Sequence, residues 1–133
     1  MPETAQSWTP ITWPPDVPKP VGAYSPAVRA GDFIYVSGQV PRDPRTGALA
    51  GDDLESQVRK TLDNVRQVLA LAGASLDDVV STICYLTNVD DWGAFNEIYK
   101  QVFKPPYPSR TALGANLRGI LVEVSAVAYV PRS

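Results

Sequence analysis

The clearest pattern along the chain is a helical periodicity of apolar residues between positions 54 and 72. Apolar side chains recur there at intervals of three and four, which places them on one face of an α-helix. Asp52 or Asp53 can cap the first turn, and Gly73 stands where helices commonly end. The opposite face is charged, so the segment predicts an amphipathic helix packed on a core.

A second stripe of aromatic and apolar residues, from Trp92 to Phe103, predicts another helix. Asp90 or Asp91 can cap its start, and the prolines at 105, 106 and 108 end it. Between and around the helices lie short β-rich segments, of which residues 79–87 are apolar enough to predict a strand buried on both faces. The predicted strands are 27–29, 33–37, 79–87, 111–114 and 121–130, and Leu49 begins either a short further strand or an extended approach to the first helix.

This order of elements predicts an α+β fold, a two-layer sandwich in which two helices cover one face of a mixed sheet of five to six strands. The other sheet face must then be polar or covered by another chain. The last strand, 121–130, decides between these two possibilities. Its side chains alternate between the two sheet faces, and the face away from the helices carries Leu121, Val127 and Tyr129 beside Glu123 and Ser125. That face is too apolar for a solvated surface, so the sequence predicts an oligomer.

The first twenty residues differ in composition from the rest of the chain. They hold six of the thirteen prolines and two of the three tryptophans, which favours an extended, polyproline-like arm over a helix or a central strand. We therefore divide the chain into an arm, 1–20, and a domain, 21–133. Either the arm is a partly ordered tail, or Trp8 and Trp13 pack on the body or on a neighbouring subunit.

Composition narrows the function classes. The 133 residues carry a net charge of −2 with a pI near 5.0, and no basic stripe is present, so nucleic acid is an unlikely partner. One cysteine and no histidine predict neither a disulfide nor a metal site, and no cofactor is expected. No apolar run has the length of a membrane span and no leader pattern is visible, so we expect a cytoplasmic location.

Without histidine, chemistry has to rest on other groups, and residues 108–124 supply an arginine and a carboxylate. Arg110 precedes a run of small residues, and Glu123 lies on the last strand, on the face expected near a subunit contact. Desolvation there would raise the pKa of Glu123. The alternative is an interfacial salt bridge with Arg110 or Arg118. Cys84, inside an apolar strand, is expected to be an inert thiol.

Several dispersed motifs resemble the RidA family, also called YjgF, whose members were formerly described as endoribonuclease L-PSP. They are GAYSPAVRAGDFIYVSGQVP, TLDNVRQVLALAGASLDDVV, FNEIYKQVF, and PSR followed by LVEVSAVA, and they extend over about residues 20 to 130. The resemblance implies a chorismate-mutase-like fold. It also implies a homotrimer whose sheets face the trimer centre, with three active-site clefts between subunits.

The resemblance further implies an enamine/imine deaminase, a hydrolase acting on C=N bonds. Its substrates would be reactive 2-imino acids of the 2-aminoacrylate/2-iminopropanoate and 2-iminobutanoate type, and its products 2-keto acids and ammonia. Arg110 matches the family arginine that binds the substrate carboxylate, and Glu123 matches the glutamate that orients water. Matching pocket positions are Tyr24, Ser37, Gly38 and Asn96.

Some positions depart from the family pattern and leave the substrate open. Ala112 stands where many relatives carry cysteine, and Pro26 where many carry a more polar residue. The loop 115–120 is shorter than in typical deaminases. One alternative is therefore a deaminase of a larger enamine, such as an aminomuconate-like catabolic intermediate. Another is a non-catalytic protein that binds a carboxylate metabolite as a regulator, while endoribonuclease activity is less favoured by the acidic balance.

Overall fold

The computed structural model describes residues 7–132, in which six strands form one sheet and two α-helices pack on it. The strands are β1 Trp8–Ile11, β2 Ala27–Ala30, β3 Phe33–Gln39, β4 Val79–Leu86, β5 Ser109–Gly114 and β6 Val122–Tyr129, and the helices are α1 Leu54–Leu71 and α2 Trp92–Val102. In space the strand order is β1-β2-β3-β6-β4-β5. Strands β4 and β5 are parallel and the other neighbours antiparallel, which confirms the predicted mixed sheet and α+β class.

The core lies between the sheet and the two helices. Alternate residues of the central strands point into it, including Ile34 of β3, Cys84 of β4 and Val124 of β6, all fully buried. The helices contribute their apolar stripes, with Val65 of α1 and Phe95 of α2 buried against the sheet. Within residues 7–132, no helix is long and apolar enough to cross a membrane.

The ends of α1 confirm the sequence prediction. The carboxylate of Asp53 accepts a hydrogen bond from the Ser56 backbone N–H at 2.8 Å, which caps the first turn. At the other end Gly73 has a φ of 76°, the left-handed conformation that a residue with a Cβ adopts at a cost. Capping and apolar periodicity thus agree on the length of this helix.

The predicted cap of α2 is wrong in its details. Asp91 occupies the N-cap position, but its side chain makes no capping hydrogen bond. A short 3-10 turn, Val89–Asp91, precedes the helix, and Asn88 caps that turn by accepting from the Asp90 N–H at 3.0 Å. The chain therefore enters α2 from an existing turn, so the helix does not need a separate side-chain cap.

Of the two alternatives predicted at Leu49, the short strand is not formed, and the segment leads into α1 without one. Leu49 forms an isolated bridge with Arg42, because the turn-rich segment between them closes on itself. The Gly47 N–H donates to the Asp43 carbonyl at 2.8 Å, and the Asp43 N–H donates to the Ala48 carbonyl at 2.9 Å. These bonds leave too little extended backbone for a ladder.

The sixth strand comes instead from the predicted arm. Strand β1 pairs antiparallel with β2 at the edge of the sheet. Pro10 lies within β1, which an edge strand tolerates because one side of its backbone needs no hydrogen-bond partner. The prediction made for residues 1–20 from their composition excluded only a helix and a central strand. It gave no signal that the residues would pair, because proline and tryptophan content does not report on ladder formation.

Residues 12–20 continue along the body of the protein. Trp13 packs against the core, and Val17 is buried at 5% exposure. Asp16 forms an ion pair with Arg45 at 3.0 Å. Of the two arm tryptophans, Trp13 thus packs on the body while Trp8 stays largely exposed, and residues 1–6 lie outside the described part. The division of the chain at residue 20 stays a prediction.

The sheet face away from the helices is exposed and aromatic. Phe33 is 40% exposed, Tyr35 47% and Tyr129 44%, and the Phe33 and Tyr129 ring centroids are 5.2 Å apart. Ile83 of β4 is 36% exposed on this side, so the prediction that β4 is buried on both faces is wrong for the single chain. The apolar run of β4 predicted two packing layers, and one chain supplies one. We call this surface the open face.

Candidate functional site

Arg110 lies on edge strand β5, on the side of the sheet that faces the helices. Its register partner in β4 is Thr82, which is buried against Tyr99 of α2. The Arg110 guanidinium stacks over the Tyr99 ring, 4.8 Å from its centroid, and Nη1 donates to Asn96 Oδ1 at 2.9 Å. Strand and helix together therefore fix the orientation of this cation.

Neutral groups hold Arg110 in place. Tyr99 shares a hydrogen bond of 2.9 Å with Thr82 Oγ1, and burial raises the pKa of its phenol, so the ring stays uncharged at neutral pH. Among residues 7–132, no carboxylate lies within ion-pair distance of Arg110, although the arginine is exposed. A positioned guanidinium without a counter-ion is suited to bind a carboxylate ligand in bidentate fashion.

A cavity of about 360 Å³ opens in front of this arginine. It is lined by Asn96, Tyr99, Lys100, Tyr107, Pro108 and Arg110. Asn96 and Arg110 were predicted as site residues, whereas the two tyrosines and the lysine were not. Three of the six lining residues stand at spacings of three and four on α2, and that spacing was the available signal.

Glu123 lies on the opposite side of the sheet. Its register partner in β4 is Tyr85, and the residues that flank it in β6, Val122 and Val124, are buried beneath the helices. Strand alternation therefore places the Glu123 side chain on the open face, as predicted, and away from Arg110. Burial raises the pKa of the Glu123 carboxyl above its ordinary value of 4.5.

Glu123 packs against Gly38 at a bulge in β3. Residues 37 and 38 together oppose one residue of β6, because the register shifts between Val36 and Gln39. A Cβ on Gly38 would collide with Glu123 Oε2 and stand 2.9 Å from its Cδ. Glycine is needed here for space, since its φ is not positive. Because Gly38 has no side chain, the Glu123 carboxylate can occupy the space where a Cβ would stand.

We expect Gly38→Ala to displace the Glu123 carboxylate and to lower the imine hydrolysis that the family resemblance predicts by roughly 100-fold, the scale of a misplacement of about 1 Å. Gly93→Ala is the matched control. A Cβ on Gly93 meets nothing within 4 Å in helix α2, so that variant should keep full activity and gain about 0.5–1 kcal/mol of stability. Steady-state kinetics and thermal unfolding of both variants measure this. Equal activity of the two would contradict the role given to Gly38.

Ser37 and Tyr24 take different roles beside this bulge. The Ser37 hydroxyl donates to the Ser25 carbonyl at 2.6 Å, and its backbone N–H donates to the Pro26 carbonyl at 2.9 Å. The single hydroxyl proton is thus engaged in joining β3 to the segment before β2. Tyr24 is 59% exposed and lines a cavity of about 470 Å³ that Gly38 also borders.

The loop before Glu123 is held by hydrogen bonds to one buried and one exposed polar side chain. Gln57 of α1 accepts from the Leu121 N–H at 2.8 Å, and Thr87 donates its hydroxyl to the Ile120 carbonyl at 2.7 Å. Gln57 is 2% exposed, and its amide nitrogen also donates to the Gly51 carbonyl at 2.8 Å. The loop is therefore anchored to α1 and β4, and it positions the start of β6. Sequence analysis missed Gln57, a polar residue on a buried helix face.

Cys84 is structural, as predicted. It is fully buried, and desolvation raises the pKa of its thiol to about 11. Its sulfur donates to Thr82 Oγ1 at 3.8 Å, so it belongs to the packing beneath Tyr99. Among residues 7–132, no three His, Cys, Asp or Glu side chains are placed to share a metal ion.

The structure thus brings the candidate residues together in two groups. Arg110 and Asn96 are in contact on the helix side of β5, and Gly38 and Glu123 are in contact on the open face. Glu123 forms no ion pair with Arg110 or Arg118 within the described chain. Each group is half of the site that the sequence predicts.

Comparison with known proteins agrees with this arrangement of fold and motifs. Residues 15–130 match the family described as Endoribonuclease L-PSP. The chain belongs to the RidA family. This family also contains a RutC family protein of Pyrococcus horikoshii, 38% identical to the chain over 116 residues, which cover 86% of the chain and 92% of that relative.

Two further RidA-family relatives bear on activity and structure. The 2-iminobutanoate/2-iminopropanoate deaminase of Homo sapiens is 37% identical over 113 residues, which cover 84% of the chain and 82% of that protein. The crystal structure of RidA from the Antarctic bacterium Psychrobacter sp. superposes with a TM-score of 0.82 at 32% identity, covering 90% of the chain and 98% of that structure. The family thus includes imine deaminases, and the two-layer fold is shared.

Proposed function

We propose that this RidA-family protein is a homotrimeric enzyme that hydrolyses reactive 2-imino acids to 2-keto acids and ammonia. The observation that carries the proposal is Arg110, an exposed guanidinium positioned by Asn96 and Tyr99 in front of a cavity and without a carboxylate partner in residues 7–132. A 2-imino acid supplies the missing carboxylate. Relatives named as 2-iminobutanoate/2-iminopropanoate deaminases support the reaction type.

The open face supports the assembly. Its exposed aromatic residues, Phe33, Tyr35 and Tyr129, form a contiguous apolar surface that a second copy of the chain would cover. Because Arg110 and Glu123 lie on opposite sides of their own sheet, one chain alone does not place both beside one substrate. In the proposed trimer, Arg110 of one subunit and Glu123 of its neighbour share a cleft.

The chemistry follows from these two groups. Arg110 binds the substrate carboxylate and so fixes the adjacent C2 carbon of the protonated imine. Glu123 takes a proton from a water molecule as the water oxygen bonds to C2, and the electron pair of the C=N bond moves to nitrogen. The nitrogen of the resulting 2-amino-2-hydroxy acid takes the proton back from Glu123, and the C–N bond then breaks while the hydroxyl proton passes to the regenerated Glu123 carboxylate and on to solvent. The nitrogen leaves as ammonia with the proton that Glu123 returns, and the 2-keto acid remains.

Other activities fit the residues less well. Cleavage of RNA is suggested by the name Endoribonuclease L-PSP, but the chain has a net charge of −2 and no histidine to act as acid or base. Imines hydrolyse slowly in water by themselves, so orientation by Arg110 and one proton acceptor are sufficient groups for the proposed reaction.

The pH dependence of the reaction tests the proposed role of Glu123, because the pKa of this carboxyl is raised. We expect the catalytic efficiency to fall as the pH decreases through that pKa, which lies above the ordinary 4.5, because protonation removes the base. Glu123→Gln should lower the efficiency by about 100-fold and abolish this acidic limb. The measurement is keto-acid formation from a freshly generated imine at several pH values. An unchanged acidic limb in Glu123→Gln would exclude Glu123 as the base.

Unfolding of the Glu123→Gln variant would not explain its expected loss of activity. Burial favours the protonated carboxyl, so the stability linked to its proton is present at low pH and is lost as the pH rises through the folded pKa. At neutral pH the ionised Glu123 therefore weakens the fold slightly, by well under about 1 kcal/mol because it is partly exposed to solvent. Glu123→Gln should be at least as stable as the wild type at pH 7, and thermal unfolding checks this.

A further inference from the structure

A second, larger cavity adjoins the one beside Tyr24. It measures about 540 Å³, and most of its wall comes from the segment 12–20. The two cavities share lining residues, namely Trp13, Lys19, Pro20, Tyr24 and Pro26. The two cavities are therefore neighbours at Tyr24, and the first of them is also bordered by Gly38. We call the larger cavity the proline pocket.

The wall of the proline pocket is firmly attached to the body. Strand β1 pairs with β2 immediately before it, and Trp13 packs against the core. The Val17 N–H donates to the Pro14 carbonyl at 2.9 Å, and Arg45 binds Asp16 through Nε at 3.2 Å and Nη2 at 3.0 Å. Prolines add stiffness because their φ is fixed. A preformed wall binds a ligand group without a further ordering cost.

The wall is also apolar. Among its described lining residues, Lys19 alone is charged, and four are prolines besides Trp13, Val17 and the Tyr24 ring. A volume of about 540 Å³ is within the range of small-molecule sites, and a methyl or ethyl group would fill little of it. The pocket is therefore suited to a large apolar group.

Gly38 connects the proposed base with the neighbourhood of the proline pocket. Gly38 borders the first cavity and also contacts Glu123, the proposed base. A substrate whose C2 carbon lies near Glu123 can extend its side chain past Gly38 towards Tyr24 and onward to Trp13. We propose that the proline pocket receives the side chain of the substrate, and that the protein prefers 2-imino acids with large apolar or aromatic side chains. This inference rests on the proposed function.

The test compares two imines in one assay. An amino-acid oxidase generates the imines of alanine and of phenylalanine in place, and keto-acid formation is followed in competition with semicarbazide, which traps the imine. We expect the wild type to have a catalytic efficiency about tenfold higher for the phenylalanine imine. Thr12→Phe places a ring in the proline pocket from an exposed residue and should reduce that efficiency about tenfold, with less than about a twofold change for the alanine imine.

Thr9→Phe is the matched control, because Thr9 is exposed on β1 and lines neither cavity. It should behave as the wild type with both imines. Equal efficiencies for the two imines in the wild type, or equal losses in Thr12→Phe, would overturn the pocket assignment while leaving the proposed function intact. Hydrolysis of neither imine by the wild type would overturn the proposed function itself, so the two failures are distinguishable.

Discussion

Replacing Arg110 with alanine is expected to abolish keto-acid formation from 2-imino acids, with a loss of at least about 100-fold in catalytic efficiency. The guanidinium is the group proposed to fix the substrate carboxylate, and among the described lining residues of the cavity in front of it Lys100 is the one other cation. Lys100 already pairs with Glu97 at 3.0 Å, so it does not replace the arginine. The loss should be measured against the spontaneous hydrolysis of the same imine.

Two further variants make this result specific. Arg110→Lys keeps the charge but loses the planar fork, so it should remain about tenfold or more below the wild type. Arg118→Ala removes an exposed arginine that lines none of the cavities described above, and it should keep full activity. Full activity in Arg110→Ala would contradict the proposed enzyme. Saturable keto-acid binding by a wild type that catalyses nothing would favour the binding protein considered from the sequence.

The fold was largely predictable because its signals are local. The three-and-four spacing along α1 and the cap at Asp53 fixed one helix, and strand alternation placed Glu123 on the face away from the helices. Strand β1 gave no such signal, because Pro10 argues against a strand except at an edge. The edge position is decided by pairing with β2, which is a non-local contact.

The residues of the candidate site stay a prediction, and their placement on the two faces of the sheet is what the sequence alone could not give. Arg110 and Glu123 are 13 positions apart in the sequence, and that spacing alone does not determine on which face of the sheet each side chain lies. Their separation follows from the register of β5 and β6 on the two sides of β4, which aligns Arg110 with Thr82 and Glu123 with Tyr85. Register depends on tertiary packing, so a one-residue slip would have put both side chains on one face. Only the folded sheet distinguishes these cases.

This separation leads to the second prediction of large effect, complementation between inactive subunits. Arg110→Ala keeps Glu123 and Glu123→Gln keeps Arg110, so a site between two different variants can contain both intact groups. If subunits mix at random in a 1:1 ratio, about a quarter of the sites should be intact, one half for each side of the cleft. In the proposed trimer, mixed assemblies made by co-expression should therefore recover about a quarter of the wild-type activity, although each variant alone is expected to have almost none.

A double variant that carries both substitutions serves as the control. Mixed with Arg110→Ala, it supplies no intact arginine to any cleft, so no activity should return. Differently tagged subunits purified in sequence show that mixed assemblies have formed, and light scattering gives their mass. Mixed assemblies that stay inactive would contradict a site shared between chains. Recovery follows from the geometry, because the sheet holds Arg110 on one side and Glu123 on the other, so an intact cleft needs one group from each of two subunits.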